Sequence, residues 1–494
     1  MRRAIPRPVE GIIDTVADSN HVGDVAPRLA FRQSPPTPLL ESQSRSDVSY
    51  RRIAHAYPFW NNPRRHSTSQ ETCVYRSELL PNQVRRLHEM LEELRGRNPF
   101  WTTRLTAAGL GKGAVESLAQ WQTLPLLTKA DLVADQTAHP RYGSNLTYPV
   151  TRYTRLHQTS GTTGRPMYWL DTKESWNWFM ECWGQIYQHI GLRPEDIVAF
   201  PFSFGPFIGF WAAFEGAVRQ GNLCLAMGGL SSETRLRQIV EHACTVVCCT
   251  PTYALRLAEV AKTEGIDLAS SAVRALIVAG EPGGAVPGTR LRIEAEWGAR
   301  VFDHWGMTDL GSLGIEPENN PGSLLVLETE SIAEIIDPAT GAPAAPGEIG
   351  ELVMTNLGRW GQPVLRYRTG DLVKATLSLE SGLLQLEGGV LGRSDDMLVI
   401  RGNNVFPSSV EAVLREFPEV AEFRLAVVTR QEMLQLQIEF EATPAISESR
   451  EALDQLMARL TRKITDRLAF SPELIPVPSD SLPRSEFKRR RVLR

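Results

Sequence analysis

One segment of the chain combines hydroxyl groups, glycines and a cation at consecutive positions. It reads Thr159-Ser160-Gly161-Thr162-Thr163-Gly164-Arg165-Pro166. These residue types pack poorly in a core, but they suit a loop that turns tightly and directs hydroxyl and main-chain N–H groups at phosphate oxygens. The G-x-x-x-x-G-K-[ST] pattern of the usual NTPase loop is missing. We predict a phosphate-binding loop, with a ligand-free surface loop as the alternative.

Five further segments carry carboxylates, cations and aromatic rings among glycines. They are Gly280-Glu281-Pro282, Asp303-His304-Trp305-Gly306-Met307-Thr308-Asp309, Tyr367-Arg368-Thr369-Gly370-Asp371-Leu372, Gly392-Arg393-Ser394-Asp395-Asp396 followed by Arg401-Gly402, and Leu482-Pro483-Arg484-Ser485-Glu486-Phe487-Lys488. Each has a plain structural alternative when it is taken alone. Asp371 is typical of a turn or cap, His304 of a core imidazole bonded to the backbone, and Lys488 of a solvated basic tail.

The segments must be positioned by an α/β framework, because apolar runs of strand length alternate with segments of helical spacing from about residue 196. The strand-like runs are Ile197 to Phe200, Leu223 to Met227, Thr245 to Cys249, Ala275 to Val278 and Val301-Phe302. The helical segments include Leu236 to Ala243 and Tyr253 to Ala261. This alternation predicts mostly parallel strands, with Gly-rich turns at the edge where such sheets bind ligands.

The pattern changes near residues 392–396, and a compact α+β domain is expected beyond them. Its predicted elements are a strand at Met397 to Ile400, a helix opened by the capping box Ser408-x-x-Glu411, strands at Phe423 to Val428 and Leu434 to Phe440, and a helix with Leu453, Leu456, Met457, Leu460, Ile464 and Leu468 on one face. We therefore predict a large N-terminal domain at residues 57–393 and a small C-terminal domain at 394–494.

The N-terminal residues 1–56 are rich in Arg, Pro, Ser and Asp without an apolar period, which predicts a disordered extension. Order is expected to begin near Tyr57-Pro58-Phe59-Trp60. Val84, Leu87, Leu91 and Leu94 then predict a helix, which Pro99 would end.

Composition excludes several classes of protein. The 494 residues are 42% apolar and 22% charged, with a net charge of −4 that attracts neither nucleic acid nor an anionic membrane. The apolar runs are too short to span a bilayer, and Met1-Arg2-Arg3 precedes no signal-peptide core, so a cytoplasmic location is expected. Cys244, Cys248 and Cys249 lie near His242, but the apolar run around them favours buried thiols over a metal site.

The polar segments resemble, in order and at family-like spacing from about Tyr57 to the end, the adenylate-forming acyl-CoA synthetases. The similarity to the phenylacetate–CoA ligase branch is greatest in GRSDDMLVIRGNNVFPSSVE and SLPRSEFK. The resemblance implies a large α/β adenylation domain with mostly parallel sheets and a small mobile α+β C-terminal lid domain. It also implies ATP, Mg²⁺ and coenzyme A as cofactors.

The resemblance implies nucleotide-binding roles for most motif residues. Those that would hold the β- and γ-phosphates are Thr159, Ser160, Gly161, Thr162, Thr163, Gly164 and Arg165, the last in place of the family's usual lysine. Those that would bind the nucleoside are Gly280, Glu281, Pro282, Asp303, Trp305, Gly306, Met307, Asp371 and Arg393. Trp305 would stack on adenine, and the two carboxylate oxygens of Asp371 would accept both ribose hydroxyls.

Catalytic roles are implied for Thr308 at the α-phosphate, for Lys488 as a mobile cation that neutralises charge in the transition state, and for His304. Asp309 would bind the metal. The C-terminal domain of such enzymes turns about a hinge, here Asp395. After the turn, Arg401 and Gly402 would line the path of the pantetheine arm.

Three departures from the family pattern leave part of this assignment open. Asp309 stands where the family has glutamate, which puts the geometry of the metal site in doubt. Phe487 replaces the glycine before Lys488, so the loop that carries the lysine has less conformational freedom. Trp305 replaces a tyrosine and loses its hydroxyl.

An aromatic cluster, which we call the aromatic window, follows the first strand of the α/β region. Its members are Phe200, Phe202, Phe204, Phe207, Phe210 and Trp211, with Gly205 and Gly209 between them. The resemblance implies that this segment lines the acyl site, so Phe204, Phe207 and Trp211 are the predicted pocket for a flat aryl or arylacetic acid. Core packing is the alternative.

We therefore predict an AMP-forming acid–thiol ligase that activates an aryl or arylacetic acid and passes the acyl group to coenzyme A. The first alternative is transfer of the acyl group to an amine or to a carrier-protein thiol. The second is a non-catalytic relative that binds nucleotide, as Asp309 and Phe487 would suggest. No nucleic-acid or membrane partner is expected, and the basic C-terminal run supports nucleic-acid binding only weakly.

Overall fold

The computed structural model describes residues 69–159, 166–206, 208–394, 398–400, 403–430, 433–468, 470–482 and 492–493. Its α-helices are α1 Ser69–Leu94, α2 Pro99–Ala107, α3 Leu118–Trp121, α4 Lys129–Ala138, α5 Lys173–His189, α6 Trp211–Gln220, α7 Ser232–Glu241, α8 Pro251–Glu264, α9 Pro287–Trp297, α10 Pro407–Leu414, α11 Pro444–Ser447 and α12 Arg450–Leu468. No helix among these described residues is long and apolar enough to cross a membrane.

The strands form one large sheet, one small sheet and two hairpins. Their bounds are β1 Tyr153–Gln158, β2 Tyr168–Thr172, β3 Ile197–Phe200, β4 Leu223–Ala226, β5 Val246–Cys249, β6 Ala275–Ala279, β7 Arg300–Met307, β8 Gly311–Ile315, β9 Leu324–Val326, β10 Ser331–Ile336, β11 Ile349–Asn356, β12 Tyr367–Leu377, β13 Leu384–Arg393, β14 Leu398–Ile400, β15 Asn403–Val405, β16 Val420–Arg430, β17 Met433–Ala442, β18 Glu473–Val477 and β19 Val492–Leu493.

The large sheet has eleven strands in the order β10-β11-β12-β13-β9-β8-β7-β6-β5-β3-β4. Strands β3 to β7 pair in parallel, and helices connect them. From β7 to β10 the neighbours are antiparallel, which short connections allow. The predicted α/β fold class is confirmed, and β7 is the strand at which the two pairing modes meet.

The burial of the parallel strands explains why they could be predicted from the amino-acid sequence. Strand β5 is buried at all four positions, because helices cover both faces of this part of the sheet. Cys248 and Cys249 lie in that strand as buried thiols, as the apolar run predicted.

The small sheet has the order β18-β17-β16-β19, and α10 and α12 pack against it around a separate apolar core. This is the predicted α+β C-terminal domain. The boundary that we predicted between residues 393 and 394 stays a prediction, since β13 ends at Arg393 and residues 395–397 lie outside the described residues.

Two local predictions were wrong. Pro99 does not end the first helix: α1 ends at Leu94, and Pro99 begins α2, where Asn98 caps the helix and a proline in the first turn has no hydrogen bond to lose. Ser408 does not cap α10 either. The capping position belongs to Phe406, and the Ser408 hydroxyl donates instead to the Leu391 carbonyl at 3.0 Å.

Candidate active site

The Gly280-Glu281-Pro282 motif and the Asp303 motif lie side by side, because β6 and β7 are parallel neighbours with Val278 opposite Asp303. Gly280 has φ +92°, a left-handed conformation that favours glycine, so the chain turns directly after β6. Gly284 then passes so close to Asp303 that a Cβ at residue 284 would lie 2.3 Å from its Oδ1.

Asp371 lies between two other residues that we predicted to bind the nucleoside. Its Oδ1 accepts a 2.9 Å hydrogen bond from Arg393, which is its cross-strand partner on β13. Its Oδ2 accepts a 2.8 Å hydrogen bond from the indole nitrogen of Trp305 on β7. The structure thus brings together three residues that we predicted to bind the nucleoside, and the carboxylate of Asp371 is oriented from both sides.

The turn after β7 carries Thr308 and Asp309. Gly306 faces Ser312 and Met307 faces Gly311 in the antiparallel pairing with β8, so the turn is short. The Asp309 side chain is buried and accepts a 2.8 Å hydrogen bond from the hydroxyl of Tyr367. Burial raises the pKa of the Asp309 carboxyl above its usual range. The hydrogen bond from Tyr367 lowers this pKa, but by less than burial raises it.

A fully buried ion pair lies beneath this turn. The guanidinium of Arg359 binds both carboxylate oxygens of Asp171, at 2.7 and 2.8 Å. Burial opposes ionisation of Asp171, but Arg359 and His157 outweigh it and hold the pKa of that carboxyl below its usual range. Arg359 Nη1 also donates to the carbonyls of Thr308 and Asp309, at 2.6 and 3.0 Å.

The predicted phosphate loop joins the two strands of the hairpin β1–β2. Thr159, the first residue of the loop, pairs with Met167 through both main-chain and hydroxyl groups. Ser160 to Arg165 lie outside the described residues. The hairpin nevertheless fixes both ends of the segment, and Asp171 stands on β2, three residues beyond Tyr168.

The aromatic window lies next to the end of β1, where the predicted phosphate loop begins. The Gln158 N–H donates to the Pro206 carbonyl at 2.7 Å. Phe204 and Trp211 meet edge to face with ring centroids 4.6 Å apart, and both are half-buried. Phe207 lies outside the described residues.

His304 connects the window to β7. Its ring centre lies 4.7 Å from that of Trp183 on α5, which in turn lies 6.4 Å from Phe210. His304 Nδ1 is 2.7 Å from the Gly314 carbonyl, and burial lowers its pKa to about 4. A neutral imidazole bonded to the backbone is the structural alternative that the sequence left open, and this geometry favours it over a proton-transfer role.

Glu281 and Asp303, which we also predicted to bind the nucleoside, interact with other residues of the protein. Oε1 of Glu281 accepts a 2.9 Å hydrogen bond from the main-chain N–H of Thr252, in the first turn of α8. Burial, reinforced by the nearby Glu316, raises the pKa of the Asp303 carboxyl to about 7. Pro282 is exposed beside them.

The remaining predicted site residues cannot be compared with the structure. Asp395, Arg401, Gly402 and Lys488 all lie outside the described residues.

Family models define the class of protein. The model described as AMP-binding enzyme matches residues 156–358, and the model described as AMP-binding enzyme C-terminal domain matches residues 402–494. These two matches place the chain among the AMP-binding enzymes.

Similarity to characterised proteins narrows this class. A phenylacetate-coenzyme A ligase of Thermus thermophilus is 30% identical over 438 residues, which cover 85% of this chain and 97% of the relative. The chain belongs to the phenylacetate–CoA ligase family. The prediction of an AMP-forming acid–thiol ligase is therefore confirmed, and the use of ATP and coenzyme A follows from the family.

Solved structures of one ligase, a 2-hydroxyisobutyryl-CoA ligase, add information on domain arrangement. Its post-adenylation state with a bound acyl-AMP matches with a TM-score of 0.79 at 28% identity, covering 83% of this chain and 88% of that one. Its thioesterification state matches with a TM-score of only 0.63 at 28% identity, covering 84% and 90%. The chain as a whole is thus more similar to the post-adenylation state of that ligase than to its thioesterification state.

Sequence reasoning missed Arg359, Asp171, Tyr367 and Trp183 as neighbours of the site. Tyr367 precedes Asp371 on the same strand and was quoted only as part of a motif. Trp183 belongs to a Trp-rich segment, Trp176-Asn177-Trp178, continued on α5, which could have indicated an aromatic wall. Nothing in the sequence indicated the ion pair between Asp171 and Arg359, because the two residues are 188 positions apart.

Proposed function

We propose that this ligase activates an aryl or arylacetic acid with ATP and transfers the acyl group to coenzyme A in the cytoplasm. The main observation that supports the proposed nucleotide site is the arrangement of Asp371 between Trp305 and Arg393. A carboxylate oriented in this way offers two fixed acceptor oxygens, which suits a pair of adjacent sugar hydroxyls.

In this proposal the adenine lies against the Trp305 ring and the Gly280-Glu281-Pro282 turn. The close approach of Gly284 to Asp303 supports this position for the adenine, because the approach brings the Gly280-Glu281-Pro282 turn to the edge of β7. The hydrogen bonds of Glu281 to Thr252 assign that side chain a role in holding the turn rather than in contacting the base.

The first half-reaction joins the acid to AMP. A carboxylate oxygen of the acid attacks the α-phosphorus of ATP, the bond to the bridging oxygen breaks, and pyrophosphate leaves with the electron pair. Thr308 and the segment Ser160 to Arg165 are proposed to donate to the phosphate oxygens, and Lys488 to offset the charge that develops.

Mg²⁺ is proposed to bind at Asp309. A magnesium ion is usually held by one or two carboxylates together with substrate phosphates, so a single acidic side chain is sufficient. Burial raises the pKa of Asp309, and a bound cation would offset this shift by favouring the ionised carboxylate. The ion would neutralise phosphate charge.

The acid is proposed to bind at the aromatic window. Phe204 and Trp211 form an edge-to-face pair next to the phosphate loop, and Trp183 with His304 continues the aromatic surface toward β7. Such walls suit a flat ring, and they leave His304 as a neutral part of the wall.

The second half-reaction is proposed to follow a turn of the C-terminal domain about Asp395. The thiolate of coenzyme A then attacks the acyl carbon and AMP leaves. The higher TM-score to the post-adenylation state, 0.79 against 0.63 for the thioesterification state, supports this proposal. Lys488 would withdraw, and the narrow Gly402 would leave space for the thiol arm.

The test is pyrophosphate release with a panel of aryl, arylacetic and short aliphatic acids, with and without coenzyme A. We expect release with aromatic acids and a CoA thioester when coenzyme A is present. Release without any CoA ester would favour an amine or carrier-protein acceptor, and no release with any acid would favour a nucleotide-binding relative.

Separate assays of the two half-reactions test Lys488. Lys488→Ala is expected to abolish adenylate formation and still to convert a supplied acyl-adenylate into thioester. If this variant adenylates normally, Lys488 belongs to the solvated basic tail.

A further inference from the structure

We propose that Arg359 is a positioning residue that holds the main chain of Thr308 and Asp309 in register with the phosphate-loop hairpin. The inference rests on the proposed roles of Thr308 and Asp309 at the phosphates and metal. Arg359 itself lies below the turn at 0% exposure, so the role proposed for it is to position the turn, not to bind substrate or metal directly.

Four hydrogen bonds of one guanidinium join two parts of the site. Nε and Nη2 bind the carboxylate of Asp171 on β2, and Nη1 binds the two consecutive carbonyls of Thr308 and Asp309. Strand β2 is the second strand of the hairpin whose connection is the phosphate loop. A single rigid planar group therefore sets the distance between that hairpin and the Thr308–Asp309 turn.

The surroundings of the ion pair leave it little freedom. The guanidinium carbon lies 5.0 Å from the ring centre of Trp169 and 5.2 Å from that of Phe179. His157, stacked on Trp176, is a further titratable neighbour of Asp171, with its Nδ1 3.8 Å from Oδ2. The group is thus fixed by aromatic faces as well as by hydrogen bonds.

The turn itself is also confined. Gly311, just after it, has φ +107°, and a Cβ there would lie 3.1 Å from both Trp178 and Phe179. A Cβ at Gly358, next to Arg359, would collide with Trp178. The chain on both sides of Arg359 is packed against α5, so the arginine cannot be displaced without moving the turn.

A purely stabilising role would not require this pair. Two charges buried together must lose their hydration, and apolar residues of similar volume often replace such pairs without loss of stability. Apolar side chains in place of both Asp171 and Arg359 could therefore support the same fold. What apolar side chains cannot do is bind the carbonyls of Thr308 and Asp309, and this is the function that we assign to Arg359.

The experiment uses Arg359→Met/Asp171→Leu, which removes both charges together, and Arg359→Lys, which retains the charge but not the planar fork. The matched control is Arg274→Met/Asp196→Leu. That pair is also bidentate, and Arg274 donates to a main-chain carbonyl, but it lies at the other end of the strands, before β3 and β6.

Four quantities are measured for folded protein: the rate of adenylate formation, its dependence on Mg²⁺, the KM for the acid, and the affinity for a non-hydrolysable ATP analogue with and without Mg²⁺. In both Arg359 variants we expect adenylate formation to fall about 10- to 100-fold. We also expect a higher Mg²⁺ requirement, a smaller gain in analogue affinity on adding Mg²⁺, and a KM for the acid that stays within about twofold of wild type. The control should keep all of these values.

The proposal is overturned if folded Arg359→Met/Asp171→Leu behaves like the control, or, should that variant not fold, if Arg359→Lys has the wild-type rate and Mg²⁺ dependence. Thr308→Ala and Asp309→Asn distinguish this failure from failure of the proposed function. If they too adenylate normally, the site assignment itself is wrong.

Discussion

The indole nitrogen of Trp305 donates a 2.8 Å hydrogen bond to Oδ2 of Asp371, which is 66 residues further along the chain. The residue proposed to contact the base therefore also orients the residue proposed to contact the sugar. The proposed recognition of base and sugar is thus coupled through one side chain.

The first prediction follows from this coupling. Asp371→Ala removes both sugar acceptors, and each charge-assisted hydrogen bond contributes roughly 1.5–3 kcal/mol, so ATP-dependent adenylation should fall about tenfold or more. Trp305→Phe keeps the ring but loses the donor, and should raise the KM for ATP by a smaller factor. Steady-state kinetics with varied ATP measure both. Unchanged adenylation in Asp371→Ala would contradict the nucleotide-site assignment.

The second prediction concerns the acid. Phe204→Leu and Trp211→Phe reshape the edge-to-face pair and should change the relative kcat/KM for different acids, while the KM for ATP stays near wild type. Phe200→Leu is the control, because Phe200 is fully buried on β3 and its truncation should affect stability alone. If no soluble variant alters the acid preference, the aromatic window is core packing.

The sequence predicted the parallel part of the fold well, because strands buried on both faces read as continuous apolar runs. Predicted and observed bounds agree for β3, and differ at one end by one residue for β4, β5 and β6. The antiparallel strands β10 to β13 gave no such signal. They carry charged residues such as Glu351 and Arg368, which pair with each other between the neighbouring strands β11 and β12.

Motif residues of the candidate site could be selected from the sequence because their types and order are distinctive, whereas their structural neighbours could not. Arg359 carries no motif of its own, and only the fold brings it to Asp171. Proline and capping signals failed for a local reason, since Pro99 and Ser408 each suit more than one position near a helix start. Contacts between distant segments thus required the structure.

The third prediction concerns pH. Burial raises the pKa of Asp303 to about 7, so the folded protein holds this proton after the unfolded chain has released it. Raising the pH from the pKa of this carboxyl in the unfolded chain toward 7 therefore lowers the free energy of unfolding. In Asp303→Asn the carboxyl is gone, and Tm should decrease less between about pH 5 and pH 8 than in wild type. Glu348→Gln, at an exposed site, controls for the change in net charge. Equal slopes in Asp303→Asn and wild type would contradict the raised pKa of Asp303.

The fourth prediction concerns the contact between the domains. Gly288 lies in the first turn of α9, and a Cβ there would be 2.6 Å from the carbonyl oxygen of Arg415, the residue that follows α10 in the C-terminal domain. The backbone of Gly288 is not left-handed, so alanine fits α9 itself. The strain of Gly288→Ala therefore falls on the domain arrangement alone.

Gly288→Ala should disfavour the present arrangement by about 1–3 kcal/mol, the usual cost of overpacking, and slow adenylate formation several-fold or more. Conversion of a supplied acyl-adenylate to thioester should be retained, because that step is proposed to use the other arrangement. Gly184→Ala is the control, since a Cβ at this position in α5 meets nothing within 4 Å. The two half-reactions are assayed separately. A wild-type rate of adenylate formation in Gly288→Ala would mean that the Gly288–Arg415 contact is not needed for the first step, and an equal loss in both steps would indicate damage to the fold rather than to the domain arrangement.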